Sequence, residues 1–198
     1  MKQKKMLLML TLAFAVLLGG AGLLYQSLSQ KVETDQLAAQ SQTGGGAESA
    51  SAGEEEIPLA PDFTVYDLEG NEVHLYDYTG KPIVLNFWAS WCGPCKREMP
   101  EFNDAYLELG EQVQFLMVNM TDGGRETVES ASGYISQEGF SFPVLYDKDF
   151  EAAMAYGAYS LPTTYFIDAE GYAVTRVVGA IDRATLQKGI DMILPQGE

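Results

Sequence analysis

Two cysteines separated by two residues, Cys92 and Cys95, are the only cysteines of the chain and the residues best suited to chemistry. An apolar, strand-like run (83–88) precedes them, and a loosely amphipathic helical stretch (96–109) follows. Cys92 is therefore predicted at a helix N-terminus, where unpaired N–H groups and the helix dipole favour a thiolate. In Cys-X-X-Cys motifs placed in this way, the pKa of the first cysteine falls from about 8.5 to roughly 3.5–7.5.

The spacing gives the two thiols different roles in dithiol–disulfide exchange. Cys92 is the predicted nucleophile that attacks a substrate disulfide, and Cys95, one helical turn deeper, resolves the mixed disulfide. Pro94 fits the first helical turn because its missing N–H would be unsatisfied there anyway. The reaction needs no cofactor, since the dithiol is itself the redox centre. A zinc site would need two further ligands, and the chain has one histidine, His74.

The run NFWASWCGPCK, from Asn86 to Lys96, resembles thioredoxin. Its continuation REMP, ending at Pro100, is similar to the TlpA/ResA type of membrane-anchored, extracytoplasmic thiol-disulfide oxidoreductases. The resemblance covers roughly residues 58–192. It implies an α/β, thioredoxin-like three-layer fold with a mixed central sheet, an N-terminal β-hairpin and a central insertion, preceded by one transmembrane helix. Pro100 would lie within the active-site helix.

The resemblance also implies substrate-binding residues. Pro162, which opens an apolar strand, would be a cis-proline beside the dithiol. Leu161, directly before it, would offer backbone hydrogen bonds to an extended substrate. Trp91 would border the substrate groove or serve only in packing.

Glu98 is the third candidate catalytic residue. It lies three positions after Cys95 and therefore on the same side of the helix. The TlpA/ResA pattern has a glutamate here, which could move a proton to or from the Cys95 thiol. Thioredoxin instead has a buried aspartate at the position of Asn86, and asparagine cannot exchange protons, which favours Glu98 in that role. The alternative is a solvated glutamate favoured by the helix dipole.

The first 56 residues divide into three segments. Residues 1–5 are basic, and residues 6–25 carry no charge and would span about 30 Å as a helix, the thickness of the hydrocarbon core. These features predict a cytoplasmic tail and a transmembrane anchor or signal-anchor. The Gln-, Ser-, Gly- and Glu-rich segment 26–56 is a predicted flexible linker to a thioredoxin-like domain, 57–198, on the extracytoplasmic side of the cell membrane. A cleaved signal peptide is the alternative.

The remaining patterns predict ordinary elements of an α/β domain. We expect a β-hairpin over 63–75, a buried strand over 113–119, a helix over 125–137, a short strand over 143–146, a short helix over 150–156, a strand over 173–178, and a last helix capped by Asp182 and ending near Ile193.

The chain carries 12 basic and 28 acidic residues, a net charge of −16, which excludes nucleic acid as a partner. The resemblance implies disulfide-containing exported proteins as substrates, for example the haem-site cysteines of apocytochrome c, and a membrane thiol electron donor of the CcdA/DsbD type. Two other functions stay open. One is a peroxiredoxin-like peroxidase, although those enzymes place a threonine where this chain has Ala89, and the other is a non-catalytic anchored binding module.

Overall fold

The computed structural model describes residues 57–195. The predicted tail (1–5), anchor (6–25) and linker (26–56) lie outside these residues. Within the described range, no helix combines the length and the apolar character needed to cross a bilayer.

Strands and helices alternate along most of the described chain. The strands are β1 (Thr64–Tyr66), β2 (Glu72–His74), β3 (Ile83–Trp88), β4 (Gln114–Asn119), β5 (Val144–Tyr146), β6 (Thr163–Ile167) and β7 (Ala173–Val178). The helices are α1 (Gly93–Leu109), α2 (Val128–Glu138), α3 (Glu151–Ala155) and α4 (Arg183–Ile193), with a 3₁₀ turn at Leu75–Tyr78.

The strands form one mixed sheet in the order β2-β1-β5-β4-β3-β6-β7. β3 pairs in parallel with β4 and antiparallel with β6, so it lies inside the sheet and all six of its residues are buried. A strand buried on both faces needs cover on both faces, which is why 83–88 is apolar at every position except Asn86. The mixed sheet and the N-terminal hairpin, formed by β1 and β2, are confirmed.

Successive side chains of β3 point into the two layers that cover the sheet. Phe87 packs 5.7 Å, ring to ring, from Tyr156 at the end of α3. Asn86 points the other way and bonds Glu98 of α1. Phe166 of β6 lies on that second side, against Gly189 of α4, where an added Cβ would come within 2.2 Å of the ring. This arrangement gives the predicted three layers and places α1 directly over β3.

Several boundaries differ from the sequence predictions, the largest difference being at α2. This helix begins at Val128, not at Arg125, because Thr127 caps it and accepts a hydrogen bond from the Ser130 N–H. Residues 122–126 form a separate loop in which Asp122 Oδ1 accepts the N–H groups of Gly124 and Glu126, each at 2.8 Å. The strand at 173–178 and the last helix, capped by Asp182, are confirmed.

Candidate active site

The two cysteines lie where β3 gives way to α1. Cys92 is the N-cap of α1, and its Sγ accepts a hydrogen bond from the Cys95 N–H at 3.2 Å. The two residues form a disulfide. Cys92 is 4% exposed and Cys95 is fully buried, so only the first sulfur reaches the surface. This asymmetry matches the predicted roles of attacking and resolving thiol.

The Leu161–Pro162 peptide bond is cis, as the resemblance implies, and β6 begins at the next residue. The Pro162 carbonyl accepts the Gly179 N–H at 2.8 Å, which fixes the proline within the sheet. The side chain of Leu161, together with Cys92, lines a groove on the protein surface. The proline and the dithiol are far apart in the sequence, but the fold brings them into the same region.

The groove beside Cys92 has a volume of about 670 Å³ and a mainly apolar lining. Its lining includes three exposed apolar or aromatic side chains: Trp91, which is 42% exposed, and Met154 and Tyr159, which are 61% and 82% exposed. The other lining residues include Gly93, Pro94, Met120, Asp122, Arg125, Phe150 and Leu161. Because Cys92 is part of this mainly apolar lining, the groove can bring an apolar part of a bound molecule next to the dithiol.

Glu98 lies behind the dithiol, on the inner side of α1, and is 1% exposed. Its Oε1 accepts the Asn86 Nδ2–H at 2.9 Å, and its Oε2 accepts the Ile181 N–H at 3.0 Å. Burial raises the pKa of the Glu98 carboxyl to about 7, although these two hydrogen bonds act in the opposite direction. A carboxyl with this pKa can take up or release a proton near neutral pH, and its burial shows that it is not the solvated glutamate of the alternative prediction.

Asn86 connects this carboxyl to the sheet. Its Nδ2 also donates to Thr164 Oγ1 at 3.0 Å, and its Oδ1 is buried without a partner among the described residues. An amide with a spare acceptor and a hydroxyl that can donate or accept suit a neighbour that changes its protonation state. Asn86 therefore holds the Glu98 carboxyl against β6 through two hydrogen bonds and does not itself titrate.

Sequence reasoning missed Glu126, a fully buried carboxylate near the dithiol. Its Oε1 accepts the Ser90 N–H at 2.9 Å and the Asn119 Nδ2–H at 2.8 Å, and its Oε2 accepts the Ser90 hydroxyl at 2.7 Å. These bonds join the loop before Cys92, the end of β4 and the 122–126 loop. No periodic pattern marks this residue, because its partners lie in other elements.

Arg125, next to Glu126, covers the outer face of the site. Its guanidinium carbon lies 3.6 Å from the centre of the Trp91 ring, a cation–π contact. Trp91 therefore borders the groove, as one of the two predictions for it proposed, and it contacts Arg125, a loop residue that the sequence prediction placed at the start of a helix. Within residues 57–195, no three side chains of His, Cys, Asp or Glu are grouped so as to hold a metal ion.

Comparison with known proteins gives the same chemistry. The family model of the AhpC/TSA family matches residues 58–175. The thiol-disulfide oxidoreductase ResA of Geobacillus thermodenitrificans is 37% identical over 137 residues, which cover 69% of this chain and 76% of the relative. The ResA of Bacillus subtilis is 34% identical over 151 residues, covering 76% and 80%.

The structural comparison agrees. A thiol:disulfide interchange protein DsbE from Chlorobium tepidum superposes with a TM-score of 0.62 at 31% identity, covering 69% of this chain and 96% of that structure. The fold is thioredoxin-like, and the dithiol lies at the position that this chemistry requires. The chain therefore belongs to the ResA-type thiol-disulfide oxidoreductases, within the AhpC/TSA family.

Proposed function

We propose that this oxidoreductase works outside the cytoplasm, held to the cell membrane by residues 6–25, and reduces disulfides in exported proteins. The paired haem-attachment cysteines of apocytochrome c are the substrate that the family resemblance suggests, and a membrane thiol protein of the CcdA/DsbD type is the proposed electron donor. The observation that carries the reductase assignment is the asymmetric dithiol at the N-terminus of α1, next to an apolar groove.

In the proposed reaction, the Cys92 thiolate attacks one sulfur of the substrate disulfide and releases the other as a thiolate. The helix N-terminus supports this step because its free N–H groups stabilise negative charge on the sulfur. Cys95 then loses a proton and attacks the Cys92 sulfur of the mixed disulfide. The substrate leaves with two electrons gained, and the Cys92–Cys95 disulfide remains.

Glu98 is the proposed proton acceptor for the buried Cys95 thiol. It lies one turn further along α1, and its pKa of about 7 allows it to take up or release a proton at physiological pH. Substrate would lie along the groove, with Trp91 on one side and the main chain of Leu161 available for hydrogen bonds. The presence of both Leu161 and Cys92 in the lining of this groove supports that placement.

A trapping experiment tests these assignments. Reduced full-length protein is mixed with an oxidised Cys-X-X-Cys-His peptide, which has the sequence pattern of a haem-attachment site. We expect the parent to reduce the peptide, Cys95→Ser to accumulate a covalent peptide adduct, and the matched Cys92→Ser variant to form none. An adduct of equal yield with Cys92→Ser would contradict the assignment of the nucleophile.

The location needs a separate measurement. Intact cells that express the protein are reduced and treated with a maleimide that cannot cross the membrane, and the mass of the labelled protein is determined in the membrane fraction and in the soluble fraction outside the cytoplasm. Labelling of full-length protein would support the anchored, extracytoplasmic form. A shorter mass lacking residues 1–25 would support the cleaved signal peptide, and labelling only after lysis would refute the proposed location.

A further inference from the structure

The wall of the groove next to Trp91 carries the only basic side chain of its lining, Arg125. Arg125 is exposed, and its guanidinium carbon lies over the Trp91 ring at 3.6 Å from the ring centre, a distance that fits stacking of the two groups. Stacking uses the face of the guanidinium and leaves its N–H groups pointing outward in the plane, where a carboxylate can accept two of them. Among the described residues, Arg125 makes no side-chain hydrogen bond and no ion pair, the one ion pair there being Arg183–Glu108.

The acidic residues of the same loop do not occupy this guanidinium. Asp122 also lines the groove, but its Oδ1 accepts two backbone N–H groups of its own loop. These bonds, more than the neighbouring Arg125 charge, lower the pKa of the Asp122 carboxyl. Glu126 is buried and directs both oxygens at Ser90 and Asn119. The Arg125 guanidinium in the groove lining is therefore available to pair with a ligand.

The 122–126 loop is anchored to its neighbours, and this anchoring fixes the position of Arg125. Glu126 bonds the loop to Ser90, two residues before Cys92, so Arg125 and the nucleophile are tied to one rigid unit. A second cation lies nearby, since a Cβ on Gly93 would be 3.9 Å from an Arg97 guanidinium nitrogen. In a protein with 28 acidic and 12 basic residues, two arginines, Arg125 and Arg97, thus lie near the dithiol.

We infer that Arg125 is a specificity-determining residue, and that the groove is built for an extended protein segment that carries acidic side chains next to its disulfide-bonded cysteine. The apolar wall of Met154 and Tyr159 would hold the segment, and the Arg125 guanidinium would pair with its carboxylate. This inference rests on the proposed attack by Cys92 and adds to it the chemical class of the preferred substrate.

Two peptide disulfides test the inference. Each peptide has one cysteine joined to 2-mercaptoethanol, flanked on both sides by Glu in one peptide and by Gln in the other. Reduced full-length protein releases the peptide thiol and 2-mercaptoethanol, and its own cysteines become the Cys92–Cys95 disulfide, so two electrons are transferred. The rate at which the protein reduces each peptide is divided by the rate at which dithiothreitol reduces the same peptide. This ratio corrects for the difference in intrinsic reactivity between the two peptides.

We expect the parent to reduce the Glu peptide about three-fold faster than the Gln peptide at low ionic strength, the effect of one exposed ion pair. Arg125→Gln should bring that ratio to one. Lys188→Gln removes the same charge from the exposed side of α4, outside the groove, and should leave the ratio unchanged. At 1 M salt, where charges are screened beyond about 3 Å, the preference of the parent should largely disappear.

Equal relative rates for the two peptides in the parent would refute the inference about Arg125 and would leave the proposed reductase activity standing. The same conclusion would follow from a preference that survives Arg125→Gln, or from one that Lys188→Gln abolishes, since the effect would then come from overall charge. A parent protein that reduces neither peptide would refute the proposed reductase activity, and the inference with it.

Discussion

Replacing Glu98 by Gln should make the protein more stable at and above neutral pH and leave its stability unchanged near pH 4. The glutamine retains the size of the side chain and an acceptor oxygen for the Ile181 N–H. Its amide group would face Asn86, whose buried Oδ1 has no partner among the described residues and can accept the new hydrogen bond after an amide flip. The variant therefore removes the charge and preserves the packing.

The magnitude follows from the titration of the carboxyl. Its pKa is about 7 in the folded protein and about 4.5 in the unfolded chain. Between these values the folded state binds more protons than the unfolded state, so the free energy of unfolding decreases with rising pH, by about 1.4 kcal/mol per pH unit. The parent should lose about 3 kcal/mol in total by this route, and Glu98→Gln should lose none of it.

Urea unfolding of both proteins with the disulfide intact, from pH 4 to pH 8.5, measures this difference. We expect the variant minus parent difference to be near zero at pH 4, to rise through the interval between the two pKa values, and to be constant above about 7.5. Asp104→Asn, on the exposed side of α1, is the control and should give no such rise. A difference that does not change with pH would refute the reasoning, because it would mean that Glu98 titrates as a solvated carboxyl.

Three further predictions concern the frame around the site and are tested by the same unfolding measurement. Gly189→Ala should destabilise the protein by about 1–3 kcal/mol, because the added Cβ would overlap the Phe166 ring. The matched variant Gly133→Ala lies on an open helix surface and should stabilise the protein by about 0.5–1 kcal/mol. Glu126→Ala should cost about 3 kcal/mol or more, since it leaves buried donors unpaired; a loss below about 1 kcal/mol would contradict the anchoring role. Asp182→Ala should cost about 1 kcal/mol through the lost N-cap of α4, and an unchanged value would show that the cap is dispensable.

The parts of the fold that depend on neighbouring residues could be predicted from the sequence. The position of Cys92 at the start of a helix follows from an apolar strand, a Gly-Pro pair and an amphipathic stretch, all within about 25 residues. The same holds for the N-cap at Asp182, which precedes its helix directly. Such features depend on capping and periodicity, and distant residues do not change them.

The walls of the groove could not be predicted in this way. Glu126 bonds Ser90 across 36 positions of the chain, and Asn86 bonds Thr164 across 78. Nothing local distinguishes a buried carboxylate that closes such a contact from a solvated one, and for that reason the sequence predicts a helix from Arg125 onward, although the loop extends to residue 126 and the helix begins at Val128. The burial that raises the pKa of Glu98 likewise depends on the packing of α1 against the sheet.

The unequal access to the two sulfur atoms has a kinetic consequence. A molecule that delivers electrons and a molecule that receives them must both reach Cys92, because Cys95 is closed to either. The two complexes are therefore mutually exclusive, and turnover must alternate between half-reactions at one opening. Initial rates measured against acceptor concentration, at several donor concentrations, should give parallel double-reciprocal lines. An excess of the donor should inhibit the reaction with the acceptor, and an excess of the acceptor should inhibit the reaction with the donor.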